Sequence, residues 1–167
     1  LTPSAGLMEV ARTRVRLPLA VMIRPRAGDF CYSDDEFEVM RHDLVRLKGM
    51  GADLLVFGLL TPGGDVDTDR TRQLIDLARP LPVTFHRAYD MTRDPRASLE
   101  VLIDLGCERV LTSGQEKSVL EGLDLITELI RLAGSRMVVV PGGGITERNL
   151  PRILRECDAR EFHVSAS

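Results

Sequence analysis

The chain has no tryptophan, and aromatic residues make up only 4% of its 167 positions. So few aromatics leave little surface on which nucleic-acid bases would stack. No excess of positive charge follows a phosphate backbone either: 22 Lys and Arg stand against 25 Asp and Glu, a formal net charge of -3. No nucleic-acid partner is expected. No apolar run approaches the roughly 18 residues of a membrane helix, and no signal peptide is visible, so no membrane partner is expected. Cysteine is scarce: Cys31, Cys107 and Cys157 are odd in number and far apart. That argues against a disulfide framework and for a reduced, cytoplasmic setting. What remains is ordinary globular composition, 44% apolar and 28% charged, enough for one good core. There is no Pro/Gly/Ser-rich linker and no low-complexity segment, so residues 1–167 read as a single domain. The chain opens on Leu1 rather than Met, in what reads as a loop before a helix, and an N-terminal segment ahead of it is expected.

What is present is a cadence of short apolar runs alternating with longer stretches of helical period. Strands are predicted at Leu19–Pro25, Asp53–Leu60, Pro82–Ala88, Arg109–Gly114, Met137–Gly142 and Glu161–Ser165. Helices are predicted at about 4–14, 34–50, 68–79, 94–106, 118–133 and 146–157. Ser33 with Glu36 spells a capping box, Asp94-Pro95 a cap followed by proline in the first turn, and Gly51, Gly106 and Gly134 stand where helices should stop. Strands alternating with helices imply an α/β fold with parallel strands joined by crossovers. About six strands do not close an eight-stranded barrel of about 250 residues. Either an open doubly wound sheet or an incomplete barrel satisfies the pattern.

The chemistry gathers where strands should end. Val138-Val-Val-Pro-Gly-Gly-Gly-Ile-Thr146 empties a β-branched run into three glycines and an expected helix start at Thr146. Gly142, Gly143 and Gly144 have no Cβ, so their N–H groups can turn toward a phosphate or carboxylate, or they form a tight turn. Strand alternation puts Thr84 and His86 opposite Val83 and Phe85, Arg24 on the face of Met22, and Glu161, His163 and Ser165 opposite Phe162 and Val164. His86, Arg24, Asp90 and His163 are the candidate catalytic residues, each with a structural alternative as a hydrogen-bonded or salt-bridged side chain. Arg26, Arg87, Thr112, Ser113, Gly142, Gly143, Gly144, Ser165 and Ala166 are candidates for holding a small-molecule or anionic ligand. There is no C-x-x-C or H-E-x-x-H motif and no His-x-His pair. The soft donors available to a metal are Cys31, Met22, Met91, Cys107 and Cys157, of which Cys107 and Cys157 fall at helix ends and suit packing. No metal ligand is assigned.

These segments closely resemble the CutC family of copper homeostasis proteins. The resemblance rests on Val21-Met-Ile-Arg-Pro-Arg-Ala-Gly-Asp-Phe30, Leu55-Val-Phe-Gly58, Pro80-Leu-Pro-Val-Thr-Phe-His-Arg-Ala-Tyr-Asp90, Arg109-Val-Leu-Thr-Ser-Gly114, Pro141-Gly-Gly-Gly-Ile-Thr146 and Glu161-Phe-His-Val-Ser-Ala166. It implies a TIM (β/α)8 barrel of which this chain carries strands three to eight, without the first two strands and the last helix. The glycine triplet then follows strand seven and Ser165-Ala166 ends strand eight, the usual phosphate-binding position of such barrels. It also implies copper(I) as a cofactor, through cysteines of the first two strands that match no position here. A homo-oligomer is expected.

Overall fold

The computed structural model describes residues 1–165. Five strands, β1 (Ala20–Met22), β2 (Leu54–Phe57), β3 (Val83–Phe85), β4 (Arg109–Thr112) and β5 (Val138–Pro141), form one parallel sheet in the order β1-β2-β3-β4-β5. Six helices accompany them: α1 (Ala5–Arg14), α2 (Asp34–Gly49), α3 (Thr68–Ala78), α4 (Pro95–Asp104), α5 (Leu123–Ala133) and α6 (Leu150–Glu156). A doubly wound sheet reverses its strand order at a switch point. Here order in space follows order in sequence, which is the arc of a TIM barrel.

Helix ends form as their sequences dictate. The Ser33 hydroxyl accepts from Glu36 N–H at 3.2 Å while the Glu36 carboxylate accepts from Ser33 N–H at 2.8 Å, the full capping box. Asp94 caps α4 by accepting from Arg96 and Ala97 N–H, with Pro95 in the first turn.

Strand alternation sorts the two faces. Val21, Ile23, Leu55, Phe57, Val83, Phe85, Val110 and Val139 are all buried against the helices. The other face carries Met22, Val56, Thr84, Leu111 and Val140, which with Arg109, Glu161, Phe162 and His163 line a concave cavity of about 340 Å³. Arg109 and Glu161 form a two-point ion pair across it, Nε to Oε2 at 2.8 Å and Nη2 to Oε1 at 3.2 Å.

The observed elements are shorter than their predicted spans, and three of them near the glycine loop most clearly so. Glu161–Ser165 makes a single parallel bridge, Gly142 with His163, through His163 N–H donating to the Pro141 carbonyl at 2.9 Å. Paired on one edge only among the described residues, this segment does not extend into a ladder. The helix expected from Thr146 starts at Leu150. Asn149 accepts from Thr146 N–H at 2.8 Å and donates to the Gly144 carbonyl, which holds Thr146–Asn149 as a turn, and Pro151 fixes the first helical turn beyond it. Likewise the helix expected from residue 118 begins at Leu123, because Gly114 and Gly122 pack backbone to backbone ahead of it.

Candidate functional site

His86 continues β3 by one residue, donating its N–H to the Phe57 carbonyl at 2.9 Å. Its ring is buried between Phe30, at 5.0 Å between centroids, and Phe85, at 6.2 Å. Gly58 makes the room: a Cβ there would lie 2.5 Å from His86 Nδ1. Ala88 N–H donates to Nδ1 at 3.1 Å, so the proton of the neutral ring sits on Nε2. That Nε2 is buried and has no hydrogen-bond partner among the described residues. Burial, reinforced by the positive charge of Arg24, pushes the His86 pKa down to about 4, and the ring is neutral at physiological pH.

Arg24 also packs on Phe30, with Cζ 4.6 Å from the ring centroid. One Nη2 bond, to the Gly28 carbonyl at 2.8 Å, holds it, while its Nε is buried without a partner. Arg26 is used differently. It donates to Glu36 at 2.5 Å, to the Asp29 carboxylate at 3.0 Å and to the Cys31 carbonyl at 2.8 Å, so its donors are spent on the loop between β1 and α2.

Adjacent residues are sent to opposite ends of the rim. Arg87 points toward the end of β5, its Nε donating to Asp90 at 2.7 Å and its Nη2 to the Ser113 hydroxyl at 2.7 Å. Asp90, only 7% exposed, also accepts from the Thr112 hydroxyl and from Ser113 and Gln115 N–H. Its acceptor capacity is thereby taken up, and neither it nor His163 hydrogen-bonds the His86 ring. A Cβ on Gly143 would stand 3.2 Å from Arg87 Nη1 and 3.3 Å from Ser113 Cβ, so the third guanidinium nitrogen rests over the glycine loop. Gly143 and Gly144 have φ of +126° and +70°, which their lack of a Cβ allows. Gly142 N–H belongs to the sheet, donating to Thr112, but Gly143, Gly144 and Ile145 N–H make no backbone or side-chain hydrogen bond among the described residues. His163 and Ser165 are exposed, and Ala166 lies outside the described residues.

Strand alternation singled out His86 and Arg24, and the position after a strand end singled out Asp90. Both passed over Tyr32, whose hydroxyl is buried beside Arg24, and Phe30, whose ring meets both Arg24 and His86. Nothing in the spacing of either residue singles it out. No three His, Cys, Asp or Glu side chains converge as a metal-binding group among the described residues. The Cys107 thiol faces the Val83 and Arg109 carbonyls, and burial pushes its pKa up to about 12. Cys157 is likewise raised by burial and packs beside Ile126 and Ile153. These residues do not fit a copper(I) site.

A sequentially ordered parallel sheet, wrapped by helices and carrying its polar side chains beyond the C-terminal strand ends, defines a TIM-barrel protein, here an incomplete barrel. The CutC family model matches residues 1–167, and the chain belongs to the CutC family. A human relative named copper homeostasis protein cutC homolog is 58% identical over 165 residues, covering 99% of this chain and 60% of its own length. The chain thus spans about 60% of that relative. The crystal structure of the CutC protein from Streptococcus agalactiae superposes with a TM-score of 0.93 at 34% identity, covering 97% of this chain and 80% of that one. An aldolase shares the fold at a TM-score of 0.73 and 15% identity, over 94% of this chain and 72% of that one.

Proposed function

We propose that the strand ends of this chain belong to a cytoplasmic TIM-barrel enzyme acting on a small phosphorylated or carboxylated metabolite. The observation that carries the reading is the neutral, buried His86 with its Nε2–H unpartnered. An orphaned buried donor costs stability, a cost that a ligand oxygen offsets. The free N–H groups of Gly143 and Gly144 and the Arg87 guanidinium, held by Asp90 and Ser113, take the anionic group. Arg24 neutralises a second negative group. His86 donates a hydrogen bond through Nε2 to the oxygen on which charge develops and keeps its proton. Its Nδ1 is already engaged by Ala88, so it does not act as a base there. A thermal-shift screen of phosphorylated and carboxylated metabolites tests this. At least one should stabilise the chain, and His86→Ala should abolish its effect. No stabilising compound, or an unchanged response in His86→Ala, contradicts the reading.

Copper handling is the second reading, and the name of the human relative favours it. The donor set among the described residues does not supply the ligands, so no step is derived through the metal.

A further inference from the structure

Among the described residues, Gln115 is the one non-glycine held in the left-handed region, at φ +60°, directly after Gly114 at +75°. A glycine would take that conformation without steric cost, so the glutamine side chain is kept there against strain. That side chain is engaged. Gln115 Nε2 donates to the Thr92 carbonyl and, at 3.4 Å, to the Thr92 hydroxyl, while the backbone N–H donates to Asp90 at 3.3 Å. Both partners lie on the segment that also carries Arg87, whose Nε donates to the same Asp90 carboxylate.

The loop between β4 and α5, on which Gln115 lies, joins the two halves of the anion rim. At its start the Ser113 hydroxyl accepts from Arg87 Nη2 at 2.7 Å. At its end Val119 N–H donates to the Gly143 carbonyl at 3.0 Å, and Ser118 packs so closely on Gly144 that a Cβ there would lie 3.2 Å from Ser118 Cβ. Between these ends Glu116 and Lys117 are exposed, and the Gln115 carboxamide fastens the middle of the loop to Thr92, which is buried.

We infer that Gln115 is a positioning residue of the anion rim. Its carboxamide fixes the spacing between the Arg87 guanidinium and the Gly143-Gly144 loop, so that both address one anion that Gln115 itself does not touch. Donors held in place before the ligand arrives bind it with less ordering cost. This rests on the enzyme reading above and assigns what holds the halves of that site together.

Inorganic phosphate is titrated into the wild type, Gln115→Asn, Gln115→Gly, Arg87→Met and the Gln115→Asn, Arg87→Met double variant, followed by calorimetry and amide resonances. Asparagine and glycine both accept the left-handed backbone, so both variants should fold, but neither spans the distance to Thr92. Each should weaken phosphate about fivefold. Before any phosphate is added, the Gly143 amide and the Arg87 Nε–H resonance should broaden in both. In the Arg87→Met background Gln115→Asn should cost less than about twofold, because the positioning acts through the guanidinium. A purely structural role would give equal losses in the two backgrounds. The inference is overturned, with the anion rim intact, if the wild type binds phosphate and the Gln115 variants bind it equally well. Equal losses in both backgrounds, or Gly143 and Arg87 resonances that stay sharp, overturn it too. A wild type that does not bind phosphate overturns the anion reading and this inference with it.

Discussion

Keeping the His86 ring neutral inside the protein becomes harder as the pH falls. Its folded pKa of about 4 lies below the value of 6.5 for an exposed imidazole, so on acidification the unfolded chain takes up the proton first. The associated stability is fully present above pH 6.5 and is lost as the pH falls toward 4. Between pH 7 and pH 5 the loss should be about 2 kcal/mol. Urea unfolding of the wild type and His86→Gln at both pH values isolates it: the wild type should lose about 2 kcal/mol more than the variant. Equal losses would mean that the ring titrates normally. Much of the residue chemistry was legible in the sequence, since strand alternation marks His86 and Arg24, and Arg87, Asp90, Thr112 and Ser113 follow strand ends. How each spends its hydrogen bonds was not. Arg26 is consumed by Asp29, Cys31 and Glu36 around its own loop, while Arg87 and Asp90 are committed to Ser113 on a distant segment.

Among the elements, α2 is the one that anchors the loop beneath which His86 lies. Its capping box joins Ser33 to Glu36, and the same Glu36 carboxylate receives Arg26. Ser33→Ala should cost about 1 kcal/mol in denaturant unfolding. It should also broaden the amide resonances of residues 26–32, because the loop and the helix share that carboxylate. A loss near zero would make the cap decorative. Element type and order were readable from the sequence because caps, glycine stops and apolar period agree over α2 and α4. The elements near the glycine loop were not. The start of α6 depends on the Asn149 side chain bridging Thr146 and Gly144, and the start of α5 on close contact between Gly114 and Gly122. Tertiary contacts of this kind outweigh local propensity.

For the molecule as a whole, the sequential strand order separates a barrel arc from a doubly wound sheet, a choice that the sequence cadence alone left open. The same arrangement brings two polar clusters to one rim, with Arg24 and His86 beyond β1 and β3, and Arg87, Asp90 and Ser113 facing Gly143 beyond β5. No three His, Cys, Asp or Glu side chains converge among the described residues, so copper(I) titrated against a competing chelator should find no stoichiometric tight site in this chain. Tight binding that Cys31→Ser removes would contradict that expectation. The central claim, an anion-binding rim, is tested most directly by titrating inorganic phosphate and following backbone amide resonances. Gly143 and Gly144 should shift together and saturate, and Arg87→Met should weaken the binding at least about tenfold. Amides that do not move, or move identically in Arg87→Met, would contradict it.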